Sequence, residues 1–305
     1  MLFYKIILIS IMVASTKSSY TDETISNFRL DPLPKEDVDV VEYTNVSGNK
    51  GPANYEKTLA ERQELAARID PVRTPVAWAD AQQMFAVALY DLGCYRETES
   101  ILKNVITVRT DFQGSRHPHT IGSRDNLAGV LATQGKYAEA TTEYRYVLTY
   151  LEEFLGPSHP GTLTSRDNLA ETLRQQGRSA DAVAEYRILL SIRERIHGET
   201  HPDTLNSRND LANALGDSGN YLEEEMEHRA VLAIRTRLLG DKHPDTLKSR
   251  SNLAMALNDQ YRFEEALKEL EAAHAGMQSV LGVDHSYTLE VKVGLNSWRA
   301  KKPEM

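Results

Sequence analysis

Five histidines, His117, His159, His201, His243 and His285, stand 42 residues apart, and imidazole is the commonest side-chain metal ligand. A series of this kind makes metal binding the first chemistry to test. Its spacing argues against that. So long a period puts each histidine in its own supersecondary unit, and packed helices lie about 8 to 10 Å apart. Ligands of one zinc ion must each come within about 2 Å of it. Each histidine is therefore expected to satisfy the loop and helix start of its own unit, with no metal held, and His119 beside His117 does not alter this.

Other reactive constellations are missing from the chain. There is no Gly-rich phosphate loop, no H-E-x-x-H, no cysteine cluster and no serine elbow, and the segment from Gly48 to Gly51 lacks the Ser or Thr of a phosphate-binding loop. Cys94 is the single cysteine, so no internal disulfide can form; between Gly93 and Tyr95 it reads as an inert turn residue. Two arginine series share the 42-residue period: Arg124, Arg166, Arg208 and Arg250, and then Arg145, Arg187 and Arg229, which Glu271 ends. Residues repeated in every unit serve the repeat. The first series is expected to lay its stems over apolar surface and bring each guanidinium to a carbonyl or carboxylate. We expect no enzyme and no cofactor.

The elements that carry these residues follow from the motif H-P-x-T-[IL]-x-S-R-x-x-L-A, which recurs at His117, His159, His201 and His243. A fixed period means stacked units that cannot bury their apolar faces alone. In the unit at His159, Leu163, Leu169, Ala170 and Leu173 form one helical stripe, helix A. After Gly177 a second stripe, Ala182, Val183, Tyr186, Leu189, Leu190 and Ile196, marks helix B, which Gly198 ends. Proline opens helix A and glycine closes helix B, the usual asymmetry of helix ends. Two substitutions stand out. Glu224 replaces the small residue supplied elsewhere by Ala140, Ala182 and Ala266, and Tyr261 replaces the turn glycine. Burying Glu224 unpaired costs several kcal/mol, so helix B of the unit at His201 is expected to shift and expose it.

The run N-L-A-x-x-L-x-x-x-G-x-x-x-x-A-x-x-x-Y, from Asn168 to Tyr186, resembles the tetratricopeptide repeat. The 42-residue length and the H-P-x-T-L opening resemble the longer repeats of kinesin light chains and of bacterial and fungal arrays. The resemblance implies an all-α fold, a right-handed α-solenoid of stacked antiparallel helix pairs. The expected organisation is a signal peptide at 1–19, an acidic linker at 20–54, a capping helix at 55–74, a degenerate first repeat at 75–116, four repeats at 117–284 and a C-terminal capping helix at 285–305. Terminal helices need a polar outer face. The signal peptide rests on Lys5 and the apolar run from Ile6 to Ala14, too short to span a bilayer. Its rival is a retained membrane anchor.

Function then falls on surfaces. A net charge of −9 excludes a nucleic-acid backbone as partner, which would call for a basic stripe. The resemblance implies that the A helices line a concave groove for a peptide or partner helix. By register the groove residues are Asp125, Asn126, Asp167, Asn168, Glu171, Asn209, Asp210, Asn213, Asn252 and Met255. Asparagine offers a donor and an acceptor to peptide backbone. Some tetratricopeptide proteins clamp a C-terminal carboxylate with Lys and Asn; here Asp125, Asp167 and Asn209 hold those positions and would repel an anion. The expected partner is a protein or peptide, neutral or basic, with no nucleic acid and no stable membrane span. The leading reading is an exported, periplasmic or secreted, scaffold. The alternative is a cytoplasmic or membrane-tethered signalling adaptor.

Overall fold

A histidine followed by proline is built to start a helix: the proline supplies the fixed φ of the first helical position, and the residue before it is pushed to extended backbone. His159 (φ −69°, ψ 138°), His201 (φ −66°, ψ 141°) and His243 (φ −67°, ψ 138°) sit in that conformation. Their imidazole Nδ1 atoms accept from the backbone N–H of Gly161, Asp203 and Asp245 at 3.1, 3.2 and 3.2 Å. His117 and His285 do the same for His119 and Tyr287 at 3.3 Å. The histidine series thus consists of N-caps, as its spacing predicts.

The structure, a computed structural model, describes residues 52–300. Among the described residues twelve helices follow one another: α1 (Pro52–Arg68), α2 (Pro75–Asp91), α3 (Tyr95–Gln113), α4 (Pro118–Thr133), α5 (Tyr137–Phe154), α6 (Pro160–Gln175), α7 (Ser179–His197), α8 (Pro202–Asp217), α9 (Tyr221–Leu239), α10 (Pro244–Asp259), α11 (Phe263–Leu281) and α12 (Ser286–Ala300). No strand occurs among them. The expected signal peptide and most of the expected linker lie outside the described residues.

The chain divides at Thr120 and Ile121 into two compact units. In the first, α1 packs on α2 and α2 on α3. Trp78 and Phe85 of α2 and Leu102 and Val105 of α3 are buried. Arg109 of α3, only 4% exposed, donates to Asp80 at 2.5 Å, to Gln83 at 2.6 Å and to the His119 carbonyl at 2.8 Å. Cys94 is half-buried at the start of α3, where its carbonyl accepts from Thr98.

In the second unit each helix from α5 onward packs on the next, and Ile121 of α4 joins Val147, Tyr150 and Leu151 of α5 in one cluster. The predicted stripes form the core, with Leu163, Leu169, Ala170, Leu173, Ala182, Val183, Tyr186, Leu189 and Leu190 all buried, as are the helix A counterparts Leu211, Ala212, Leu215, Leu253, Ala254 and Leu257. Ile196 is the exception, 40% exposed in the last turn of α7, so the buried stripe ends before it. The fold class is an all-α solenoid of helix pairs. α12 closes the stack by burying Val291 and Leu295 against Leu247, Leu270 and Met277. Its outer face departs from the polar cap expected, since Val293 is 69% and Leu289 42% exposed.

The first arginine series ties helix A to helix B in each of its repeats and, at its two central members, to the preceding helix as well. Arg166 of α6 bridges Glu152 of α5 and Glu185 of α7. Arg208 of α8 does the same to Glu194 of α7 at 2.5 Å and Glu227 of α9 at 2.8 Å. Arg124 and Arg250 each hold the helix B glutamate of their own repeat, Glu143 and Glu269, at 2.7 Å.

Tyr261 keeps the turn that its glycine counterparts make. Its φ of 61° is in the left-handed region beside the 75°, 78° and 81° of Gly135, Gly177 and Gly219. Arg262 N–H reaches the Leu257 carbonyl at 3.0 Å, as Arg178 reaches Leu173 at 2.9 Å. The turn is therefore neither loosened nor bent, and the tyrosine backbone bears the strain. Tyr261→Gly is expected to raise stability by roughly 1 kcal/mol, less some added freedom of the unfolded chain. A urea titration checks this; an unchanged or lower midpoint would mean that the ring, 80% exposed but edge-on to Phe263, contributes more than the strain removes.

Candidate functional site

Stacking brings helix A residues off the packing stripe together across repeats, most extensively on α6, α8 and α10. Asn252 of α10 donates to Asn209 of α8 at 2.6 Å. Arg174 of α6 reaches Asp217 of α8 at 2.7 Å and holds Glu171 of its own helix through Nε and Nη2 at 2.8 and 2.9 Å. Glu171 also accepts from Gln175 at 2.7 Å and from the buried Tyr186 hydroxyl of α7 at 3.2 Å. Burial works to raise the Glu171 carboxyl, yet these donors hold it below its ordinary value.

Around this lies the acidic centre of the face. Asp167 accepts from Arg193 of α7 at 3.3 Å, and burial still keeps its carboxyl above the usual range. Asp210 of α8 is pushed up to about 6, by burial first and then by the charges of Asp167 and Glu171. The same carboxylates and burial push the Tyr186 phenol up. Asp167, Glu171, Asp210 and Asp217 thus share the face with two guanidinium groups, Arg174 and Arg193. An excess of partly desolvated negative charge favours a cation more strongly than fully solvated carboxylates do.

Of the ten residues predicted from the register, Asp167, Glu171 and Asp210 are brought together, and Asn209 and Asn252 are joined. Asn168 and Asn213 are half-buried on α6 and α8, while Asn126 and Met255 are exposed. Asp125 is different. Its carboxyl is raised to about 6 by burial, against the Ser165 hydroxyl, and its Oδ1 is enclosed without a hydrogen-bond partner.

The cause is a second arginine network that sequence reasoning missed. Arg193 binds Asp167 of its own repeat and Ser207 of the next. Arg235 likewise binds Asn206 and Ser249, both at 2.9 Å. One period before Arg193 stands Leu151, so Asp125 has no such arginine. The signal was present as Arg109, Arg193 and Arg235 in register, broken by Leu151.

Glu224 overturns the expectation that its helix would shift. α9 begins and ends in register with α7 and α11, and Glu224 N–H bonds Asn220 at 3.1 Å as Ala182 bonds Arg178 at 3.0 Å. The residue stays 5% exposed, with Oε2 buried and unpartnered. Room comes from Gly216 of α8: a Cβ there would lie 2.6 Å from the Glu224 Cδ and Oε1 and 2.7 Å from Oε2. Among the described residues no group of three or more His, Cys, Asp or Glu is arranged to hold a metal ion, and no helix is long and apolar enough to cross a membrane.

Comparison with known proteins agrees with this geometry. A tetratricopeptide repeat family model matches residues 123–187 and 168–231, and another matches 246–287. A crystal structure from Podosopora anserina, described as a kinesin light chain type of nearly identical TPR-like repeats, is 26% identical with a TM-score of 0.61, covering 69% of this chain and 97% of that one. BtubC (BKLC) from P. vanneervenii, 21% identical with a TM-score of 0.58, covers 75% of this chain and 91% of that one and shows the shared fold. No curated protein matches the chain in sequence.

Proposed function

Because the chain carries tetratricopeptide repeats resembling those of kinesin light chains, a fold that serves as a protein-interaction scaffold, we propose that it is a non-catalytic, exported scaffold whose helix A face holds a neutral or basic segment of a partner protein. The observation that supports the charge preference is the grouping of Asp167, Glu171 and Asp210, in which the Asp210 carboxyl, raised to about 6 chiefly by burial, is pushed further up by the charges of the other two. The amide groups of Asn209 and Asn252 beside it offer contacts to peptide backbone. Export is supported by Lys5 and the apolar run that follows it.

The test uses a short fluorescein-labelled peptide of Ala, Gly and Lys and its Glu counterpart, followed by anisotropy at physiological salt. The lysine peptide is expected to bind and the glutamate peptide not to. Asp167→Asn with Asp210→Asn should weaken binding about tenfold or more, the loss of one to two charge-assisted contacts. Neutralising exposed Glu139 and Asp181 on helix B should change it little. Lowering the pH from 7.5 to 5 should also weaken binding, because Asp210, ionised above about 6, takes up a proton. Equal binding of the two peptides, or no response to the double variant, would sink the proposal. Mass spectrometry of the mature protein decides export: an intact N-terminus would favour the cytoplasmic or tethered adaptor instead.

A further inference from the structure

The repeats contain their own model of how a cation is held between neighbouring A helices. Arg174 of α6 projects to α8, where Asp217 takes it at 2.7 Å, while Glu171 grips it from its own helix. One repeat later, 42 residues on, the place of Arg174 is taken by Gly216 and the place of Asp217 by Asp259. The cation that would bridge α8 to α10 is missing, but the acceptor is still there. Asp259 is exposed at the end of α10, with the Asn258 amide 3.3 Å away.

Into the space left by the missing side chain comes the carboxyl of Glu224, close enough that any Cβ on residue 216 would collide with it. Glu224 is 5% exposed and its Oε2 has no hydrogen-bond partner. Asp217 and Asp259 are the neighbouring charges that act on it, adding to burial. Glu224 thus feels two further carboxylates, Asp217 and Asp259, where the preceding repeat places a guanidinium, and of these three Arg174 bonds Asp217. Packing does not require this. Ala140, Ala182 and Ala266 occupy the same position fully buried in other repeats, and Gly216 lowers the helix propensity of α8. A buried acceptor without a donor is unfavourable until something pairs with it.

We propose that the place over Gly216 receives an arginine or lysine side chain of the bound partner, held by Glu224 and Asp259 as Arg174 is held by Glu171 and Asp217. Gly216 is partly exposed and Asp217 and Asp259 are exposed, so the side chain reaches the site from solvent. The inference rests on the helix A face being the binding face and adds to it one position that demands a cation.

The probe is a short peptide of Ala and Gly with a single arginine, compared with the same peptide carrying citrulline, which keeps the shape and loses the charge. Heteronuclear NMR follows the Gly216 amide and the Glu224 carboxyl. The arginine peptide is expected to shift both saturably and to lower the pH at which Glu224 titrates; citrulline should do neither. Gly216→Arg fills the site from within and Glu224→Gln removes its charge, and each should weaken the arginine peptide about tenfold or more. Gly216→Ala, which displaces only the Glu224 carboxyl, should weaken it less, and circular dichroism confirms that each variant is folded. Equal binding of arginine and citrulline peptides, or full affinity in folded Gly216→Arg, overturns the proposal. If the lysine peptide still depends on Asp167 and Asp210 while Gly216→Arg leaves all binding intact, this position fails and the helix A face stands. If neither basic peptide binds the native chain, both fail.

Discussion

Replacing Arg166 with alanine is expected to destabilise the second unit by about 3 kcal/mol, the usual cost of breaking a buried ion pair by removing one partner. The guanidinium of Arg166 is 7% exposed and spans Glu152 of α5 and Glu185 of α7, whose side chains are 39% and 23% exposed. Removing it leaves two partly desolvated carboxylates facing each other and uncovers the apolar surface under the arginine stem. Arg166→Met separates these contributions, since it restores the stem without the charge. Arg178→Ala is the control: its pair with Asp181 is exposed on both sides at 38% and 49%, so it should change stability by no more than about 0.5 kcal/mol. Guanidinium titrations read all three. A loss at Arg166 no larger than at Arg178 would make the series ornamental to stability, and the stacking of apolar stripes would then carry the fold alone.

Glu224→Gln is expected to make the protein more stable at pH 8 than the native chain and to remove a pH dependence. The Glu224 carboxyl is pushed from 4.5 up to about 7, by burial first and then by Asp259 and Asp217. An acid with a raised folded pKa binds its proton more tightly folded than unfolded. Stability is therefore lost as pH rises from about 4.5 through 7 and is flat above. The upper bound of that loss is roughly 3 kcal/mol, and because the charges that act on the carboxyl, Asp217 and Asp259, are exposed and screened by solvent, about 1 to 2 kcal/mol is expected. His228, four residues on, works in the opposite sense. Burial pushes its imidazole down to about 4, so it costs stability as pH falls from 6.5 toward 4. Only the difference between native and variant proteins across pH 5 to 8 isolates Glu224. Parallel curves would mean that Glu224 finds a partner in solution.

Much of the architecture was legible because its signals are local and repeated. The histidine caps need only a side chain two residues from the N–H it accepts, and proline beside it fixes the backbone, so H-P-x-T announces each A helix. Gly198 and the turn glycines end helices through a conformation that glycine adopts without strain. Tyr261 shows the limit of that logic: the turn holds its shape because the hydrogen bonds of the flanking helices outweigh one strained residue. The candidate site was legible as a face but not as a set of contacts. Register placed Asp167, Glu171 and Asp210 on one surface, yet gave no reason to expect that Arg193 would cross to Asp167 or that Asp125 would lack its arginine.

By itself the sequence determined the period, the helix bounds, the apolar stripes and the arginine series between helices, since each of these recurs every 42 residues and must work identically in each unit. Tertiary structure decided the exceptions. Glu224 could stay buried because Gly216, on the facing helix, has no Cβ to exclude it, and Asp210 is raised to about 6 because stacking first buries it and then sets it against Asp167 and Glu171 of the neighbouring repeat. Both are pair interactions between residues that do not repeat together. Their energies depend on distances set only when the helices pack, and no periodicity along the chain encodes them.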